Sequence, residues 1–230
     1  MGLLNPTRTT NNVIHAAAVT FDDGKTTDYE FALPILQKHG IRATFFVTAG
    51  LIGHQPGFMT WGQVKELASL GHLVESHGWS HSLLNQIDET MIYEELDWSK
   101  KELEDQVGLP IEAISLPGGR WTRQVLTACE NVGYRRVYHS DPWRHAEHWG
   151  NIEFHGRFMV RNSTNVEILR SLLEGDHPTI FYYRTQHCLK ELGKQLLGDS
   201  LYHRIWQTVA RLAGQDGSSS QQQLVRKRQR

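Results

Sequence analysis

Most of the features that would place a protein in a special class are scarce in this chain. It carries two cysteines in 230 residues, Cys129 and Cys188. That is too few for a disulfide framework, and both fall in segments that read as helix, so a reducing cytoplasm suits them. No apolar run approaches the roughly 20 residues that a helix needs to span a bilayer. The opening Met1-Gly2-Leu3-Leu4-Asn5-Pro6-Thr7-Arg8 lacks the apolar core of a secretory signal, and a cytoplasmic location is the expectation. Neither sign of charge is in excess: 24 Lys and Arg stand against 25 Asp and Glu, a formal net charge of −1, which gives no global reason to expect nucleic-acid binding. Internal repeats and a second domain are not evident.

What remains is the composition of an ordinary globular protein, 39% hydrophobic and 21% charged, long enough for one sizeable core. Thirteen histidines are many for this length and point towards metal or acid–base chemistry. Short apolar runs alternate with longer helical segments, which predicts a parallel sheet with crossover helices. Strands are expected at Val13–Thr20, Arg42–Val47, His72–Ser76, Ala113–Leu116, Arg135–Tyr138 and Thr179–Tyr183. Helices are expected at Asp28–His39, Thr60–Leu70, Glu89–Val107, Thr122–Val132, Val166–Glu174, Leu189–Leu197 and Ser200–Leu212. Thr60 and Asn165 read as N-caps, and Gly40, Gly71, Gly108 and Gly133 as helix terminators. From Gly214 the composition turns to Gly, Ser and Gln and ends in Val225-Arg226-Lys227-Arg228-Gln229-Arg230. Such a tail buries too little to order itself, and its four positive charges suit at most a weak contact with an acidic surface. The expected organisation is an extension over 1–12, a catalytic barrel over 13–213 and a disordered basic tail over 214–230.

The most informative segment is Phe21-Asp22-Asp23-Gly24, directly after the run His15-Ala16-Ala17-Ala18-Val19-Thr20. Two adjacent carboxylates at the end of a buried strand are costly unless something positive shares the site. Side chains alternate along extended backbone, so one aspartate can grip a metal while the other faces a substrate. His77-Gly78-Trp79-Ser80-His81 then offers two imidazoles four residues apart, again past a strand-like run. One carboxylate and two imidazoles leave coordination positions open, the pattern of a catalytic rather than a structural metal site. Polar clusters also follow the other strands, at Pro117-Gly118-Gly119-Arg120, Asp141-Pro142-Trp143 and Arg184 to His187. In a parallel barrel these positions converge on the carboxyl-terminal rim, where such folds place their sites. Each has a bland alternative. Asp-Asp-Gly can be a plain turn, histidines four apart a helix face, Arg120 and His187 surface residues, Asp141 a cap before Pro142, and Trp143 a core or rim aromatic.

The strand–Thr20-Phe21-Asp22-Asp23-Gly24 signature followed by His77-x-x-x-His81 resembles the polysaccharide deacetylases, the NodB-homology group of carbohydrate esterase family 4. The resemblance spans Val13 to His187. It implies an α/β fold, a distorted (β/α) barrel of mostly parallel strands. It also implies removal of N-acetyl groups from the amino sugars of a polysaccharide or oligosaccharide precursor, with one divalent metal ion, zinc first and cobalt, nickel or manganese after it. By position, Asp23, His77 and His81 would be the ligands and Asp22 the general base, taking a proton from a water that the metal has acidified. Gly118 would offer a backbone N–H to the developing oxyanion, and Trp143 an apolar wall near the acetyl methyl.

The chain departs from the family's pattern in its third and fifth motifs. Ser115 stands where an arginine normally orients the base, and Arg120 is the expected substitute, pairing with Asp22 or Asp141. At the fifth motif the chain reads Tyr182-Tyr183-Arg184, so the general acid is expected at His187, with His139 as a second choice. Gly78 replaces the usual Ser or Thr. The rival readings are hydrolysis of a small non-sugar amide on the same barrel, since fold does not settle substrate, and a non-catalytic glycan-binding relic.

Overall fold

The computed structural model describes residues 17–142, 147–161, 164–174, 176, 178–185 and 188. Trp143, His187, the N-terminal extension, the two expected C-terminal helices and the basic tail lie outside the described residues. The chain forms two units. Ala16–Thr164 holds every strand described below and the first four helices, while the second unit includes the helix after Asn165.

In the first unit, β1 (Val19–Phe21), β2 (Ala43–Val47), β3 (Leu73–Ser76), β4 (Ala113–Ser115) and β5 (Arg136–His139) are followed by β6 (Glu147–Trp149) and β7 (Ile152–Gly156). They make one seven-stranded sheet in the order β1-β2-β3-β4-β5-β7-β6. Every neighbouring pair is parallel except β6 with β7. The order from β1 to β5 runs with the chain and never reverses. That is the winding of a (β/α) barrel rather than of a doubly wound sheet, whose order turns back at a switch point. The expected α/β barrel class is what the chain adopts, as an arc with β1 and β6 at its edges among the described residues.

The crossovers are α1 (Leu33–His39, entered through a wider π-type turn over Asp28–Ala32), α2 (Trp61–Ser69), α3 (Glu89–Val107) and α4 (Arg123–Val132). Thr60 caps α2 in a reciprocal box with Gln63, which satisfies two amides that the first turn leaves without partners. α5 (Val166–Leu173) lies in the second unit and is capped by Asn165, which accepts from the Glu167 N–H.

Alternation along the strands separates two environments. Phe45 and Val47 of β2 pack with Leu67, Leu96, Ile114 and Val137 in the core beneath the helices. Phe46, equally buried, faces the other way, towards Tyr138 at 5.1 Å between ring centroids. Hydrophobic residues on both faces make β2 the near-continuous apolar run expected of a central parallel strand.

Two features differ from expectation. Residues 178–185 are helical, not a strand. Thr179-Ile180-Phe181-Tyr182-Tyr183 has strong β propensity, but the Asp176 carboxylate accepts from the Thr179 N–H at 3.1 Å and the Asp176 carbonyl from Ile180 N–H at 3.0 Å. A local N-cap therefore overrides a propensity that depends on strand neighbours. Conversely, β6 and β7 lie in a stretch for which no element is expected from the sequence. The turn Gly150-Asn151 joins them, with Trp149 opposite Ile152, and Ile152 and Phe154 are buried while Glu153 between them is exposed.

Candidate active site

Strand geometry places the first two acidic groups. Thr20 and Asp22 are two residues apart and share the inner face, as Arg157 contacts both. Asp23 breaks the alternation with φ of 77°. This left-handed backbone disfavours a β-carbon and is held by Thr48, whose N–H donates to the Asp23 carbonyl at 3.2 Å. The next residue must be glycine: Gly24 has φ of 83°, and a Cβ there would meet Ile52 Cδ1 at 3.0 Å. The turn carries the Asp23 carboxylate away from Asp22 and towards the histidines.

His77 leaves the end of β3, its N–H donating to the Val47 carbonyl at 2.8 Å and its side chain buried. His81 has φ of 67° and a side chain 43% exposed. The Nε2 atoms of His77 and His81 lie 3.3 and 3.2 Å from Asp23 Oδ1. One ligand atom from each of the three residues falls within 4.8 Å of the others. His77 Nδ1 lies 2.7 Å from the Ser115 carbonyl, which can only accept, so Nδ1 carries a proton. Without a second proton Nε2 would aim a lone pair at a carboxylate oxygen, so a cation, or in the metal-free protein a proton on Nε2, must lie between them. The donor set, one carboxylate and two imidazoles with one ring oriented by a backbone carbonyl, fits a divalent transition metal such as zinc.

Asp22 meets an arginine that sequence reasoning missed. Arg157, one residue beyond β7, donates Nη1 to Oδ1 and Nη2 to Oδ2, both at 2.7 Å. Nη1 also reaches Thr20 Oγ1 at 3.0 Å and Nη2 reaches Ser115 Oγ at 2.5 Å, while the Ser115 hydroxyl donates to Asp22 Oδ2 at 3.1 Å. The guanidinium carbon lies 5.1 Å from the Phe46 ring centroid and 5.9 Å from that of Tyr138, a favourable setting for a cation. Ser115 thus leaves the space that Arg157 fills. Arg120 is the expected partner of Asp22 or Asp141; the guanidinium hydrogen-bonded to Asp22 is that of Arg157, just past β7. The alternation of Ile152-Glu153-Phe154-His155 after Gly150-Asn151 was the available signal.

These contacts set the charge states. Burial pushes the Asp22 carboxyl up, but the Arg157 hydrogen bonds, the nearby His77 charge and the Ser115 hydroxyl outweigh it, leaving the group below its ordinary value. Hydrogen bonds from His77 and then His81 hold Asp23 far below the usual carboxylate range. The reciprocal contact with Asp23 raises His81.

The remaining expected site residues are distributed as follows. Gly118 sits in the turn after β4 with φ of 66°, and neighbouring Gly119 leaves no room for a side chain, since a Cβ would fall within 2.6 Å of the Ser140 backbone nitrogen. Pro117 abuts Gly78, whose Cβ position would lie 3.6 Å from Pro117 Cγ, so this turn borders the histidine loop. Arg120 follows that turn directly. The Asp141 N–H donates to His139 Nδ1 at 3.1 Å. His139 is buried and stacks on Phe154 at 4.1 Å, placing it on the helix side of the sheet, opposite Tyr138 and Arg157. Trp143 and His187 lie outside the described residues.

Sequence and fold agree on the class. Residues 10–137 match the polysaccharide deacetylase family, and the chain belongs to that family. Among individual relatives, the Bacillus subtilis protein YxkH is 34% identical over 137 residues, 60% of this chain and 49% of that protein. The peptidoglycan-N-acetylglucosamine deacetylase PgdA of Listeria monocytogenes is 32% identical over 117 residues, 50% of this chain and 23% of PgdA. The structure of the Streptococcus pyogenes deacetylase PplD, solved in complex with acetate, superposes with a TM-score of 0.59 at 26% identity, over 66% of this chain and 68% of PplD. The chain spans about half the length of the first curated relatives it matches.

Proposed function

We propose that this chain is a carbohydrate de-N-acetylase that releases acetate from N-acetylated amino sugars of a polysaccharide or oligosaccharide. The observation that carries the reading is the convergence of Asp23, His77 and His81 around one point while Arg157 pins Asp22 beside them. Family membership and relatives named for acting on peptidoglycan amino sugars support the same substrate class.

Asp23, His77 and His81 would hold the cation, zinc being the best match to two imidazoles and a carboxylate. Bound there, a divalent metal would acidify a water and polarise the acetamide carbonyl. Asp22 is placed to act as the general base and would accept a proton from the attacking water. Its ionised form is ready at neutral pH because Arg157 and Ser115 stabilise the charge. The bidentate grip also fixes the carboxylate plane, so that proton transfer needs no side-chain rearrangement. A base held below its ordinary pKa gives the proton up readily, and Asp22 can pass it to the departing nitrogen. The N–H of Gly118 is the chain's own candidate donor to the oxyanion.

The test is metal analysis of the purified protein with acetate release from chitooligosaccharides and peptidoglycan fragments, repeated with Asp22→Asn. Bound metal with acetate release that Asp22→Asn abolishes is the expected result. Bound metal without acetate from any acetylated sugar would leave a site with another substrate and defeat the reading.

A further inference from the structure

α3 carries two polar residues on its buried face, Glu95 and Ser99, among Ile92, Leu96 and Leu103. Their spacing of four puts them one above the other on a single helix face. A carboxylate and a hydroxyl in that position are costly unless satisfied, and both are satisfied by one stretch, Ser76–Ser80, from the end of β3 into the loop that joins the two histidines. Ser99 Oγ lies 2.8 Å from Ser76 Oγ, which accepts from the Gly78 N–H at 3.1 Å. Glu95 Oε2 accepts from the Trp79 N–H at 3.0 Å and the Ser80 N–H at 2.9 Å, and Oε1 accepts from the Ser80 hydroxyl. The amides of 79 and 80 are thus gathered onto Glu95, and that of 78 onto the Ser76 hydroxyl, which Ser99 contacts in turn.

The loop needs such an anchor. Gly78 has φ of 78° and His81 φ of 67°. A non-glycine residue holds that conformation only where its surroundings over-determine it. On the far side, the Trp79 carbonyl accepts from the Gly50 N–H at 2.9 Å and the Gly78 carbonyl from the Ala49 N–H at 3.1 Å. The loop's carbonyls therefore face the turn after β2, and its amides face α3.

We infer that Glu95 is a positioning residue for the metal centre: by collecting the Trp79 and Ser80 amides it holds His81 in the left-handed conformation that aims Nε2 at Asp23. This rests on the reading that Asp23, His77 and His81 bind a metal. Glu95 acts through the loop backbone and touches neither cation nor substrate. It extends the site's support one layer outward, to a helix whose sequence shows no chemistry. Outer-shell partners of this kind typically change metal affinity by about 10- to 100-fold.

The test is titration of the metal-free full chain with Co2+, followed by its visible d–d absorption, in wild type, Glu95→Gln and Ser80→Ala. Glu95→Gln keeps the shape but turns an NH2 group towards donors that the carboxylate now accepts from. It should weaken the Co2+ Kd by about tenfold or more and shift the absorption bands at saturation. Ser80→Ala removes one donor at an exposed position and should weaken binding on the order of threefold, the effect of one hydrogen bond. Thermal melting of the metal-free variants separates positioning from plain destabilisation, because a merely structural Glu95 would lower the melting temperature and leave the cobalt spectrum unchanged. Should Glu95→Gln not fold, Ser80→Ala decides alone. Wild-type Kd and spectrum in the folded variants would overturn the inference while leaving the metal site standing. A wild-type protein that takes up no cobalt would remove the metal site, and this inference with it.

Discussion

Arg157 and Asp22 are 135 residues apart in the chain and meet through two parallel hydrogen bonds of 2.7 Å. The pairing links the last parallel strand of the sheet to the first across its inner face, and Ser115 of β4 lies between them. Arg157→Lys retains the charge but not the planar fork. Acetate release should fall by about 10- to 100-fold, the loss of a charge-assisted hydrogen bond, with metal content unchanged. Acetate kinetics at saturating substrate, alongside metal analysis, check this; an unaltered kcat would show that the orientation of Asp22 is fixed by other groups.

The same pair has a pH signature. Asp22 is held below its ordinary value of 3.8 in the folded protein. Its contribution to stability is therefore complete above that value and is lost as pH falls through the lower folded value. In Arg157→Ala burial acts on Asp22 without its guanidinium, so the variant should be less stable at pH 6 by about 1–3 kcal/mol, discounted for partial solvent screening. That difference should shrink towards pH 3. Burial pushes Asp28 up to about 6, a penalty growing between pH 4 and 6, but it is common to both proteins and cancels in the difference. Urea unfolding of the metal-free proteins at several pH values measures it, and a pH-independent gap would contradict the assignment.

Removing the proposed ligands should separate metal binding from folding. Asp23→Ala, His77→Ala and His81→Ala should each abolish metal retention. The costs to the metal-free fold should differ, because His77 is buried with Nδ1 on the Ser115 carbonyl, whereas the His81 side chain is 43% exposed. His77→Ala strands a buried carbonyl and should cost about 1–3 kcal/mol, against within about 0.5 kcal/mol for His81→Ala. Metal analysis paired with urea midpoints tests both halves.

Asp22→Asn is the counterpart: it should keep the metal, because the proposed ligand set is Asp23, His77 and His81, and reduce turnover by at least about 100-fold, the usual contribution of a general base. Undiminished acetate release would remove Asp22 from that role.

Backbone strain at Asp23 gives a further measurable difference. With φ of 77°, this position favours glycine over any residue with a β-carbon. Asp23→Gly should therefore unfold at a higher urea concentration than Asp23→Ala in metal-free protein, by about 1 kcal/mol of stability. Equal midpoints would mean that the turn relaxes in the variants.

The amino-acid sequence by itself determined the barrel class, four of the crossover helices and the residues that gather at Asp23. Each is written locally: apolar runs of strand length, caps at Thr60 and Asn165, and two dense motifs just past strand ends, where parallel strands deliver side chains to one rim. The partner of Asp22 was decided only in three dimensions. Which arginine reaches a carboxylate depends on strand order and on which side chain leaves space, and Ser115 leaves it for a residue 42 positions further on. The local Asp176 cap makes helix of the strand pattern Thr179–Tyr183, whose β propensity needs sheet neighbours to be realised. Tertiary structure also assigned the buried carboxylate of Glu95 to the histidine loop, a role invisible in sequence because the amides it gathers belong to the backbone and carry no residue signature.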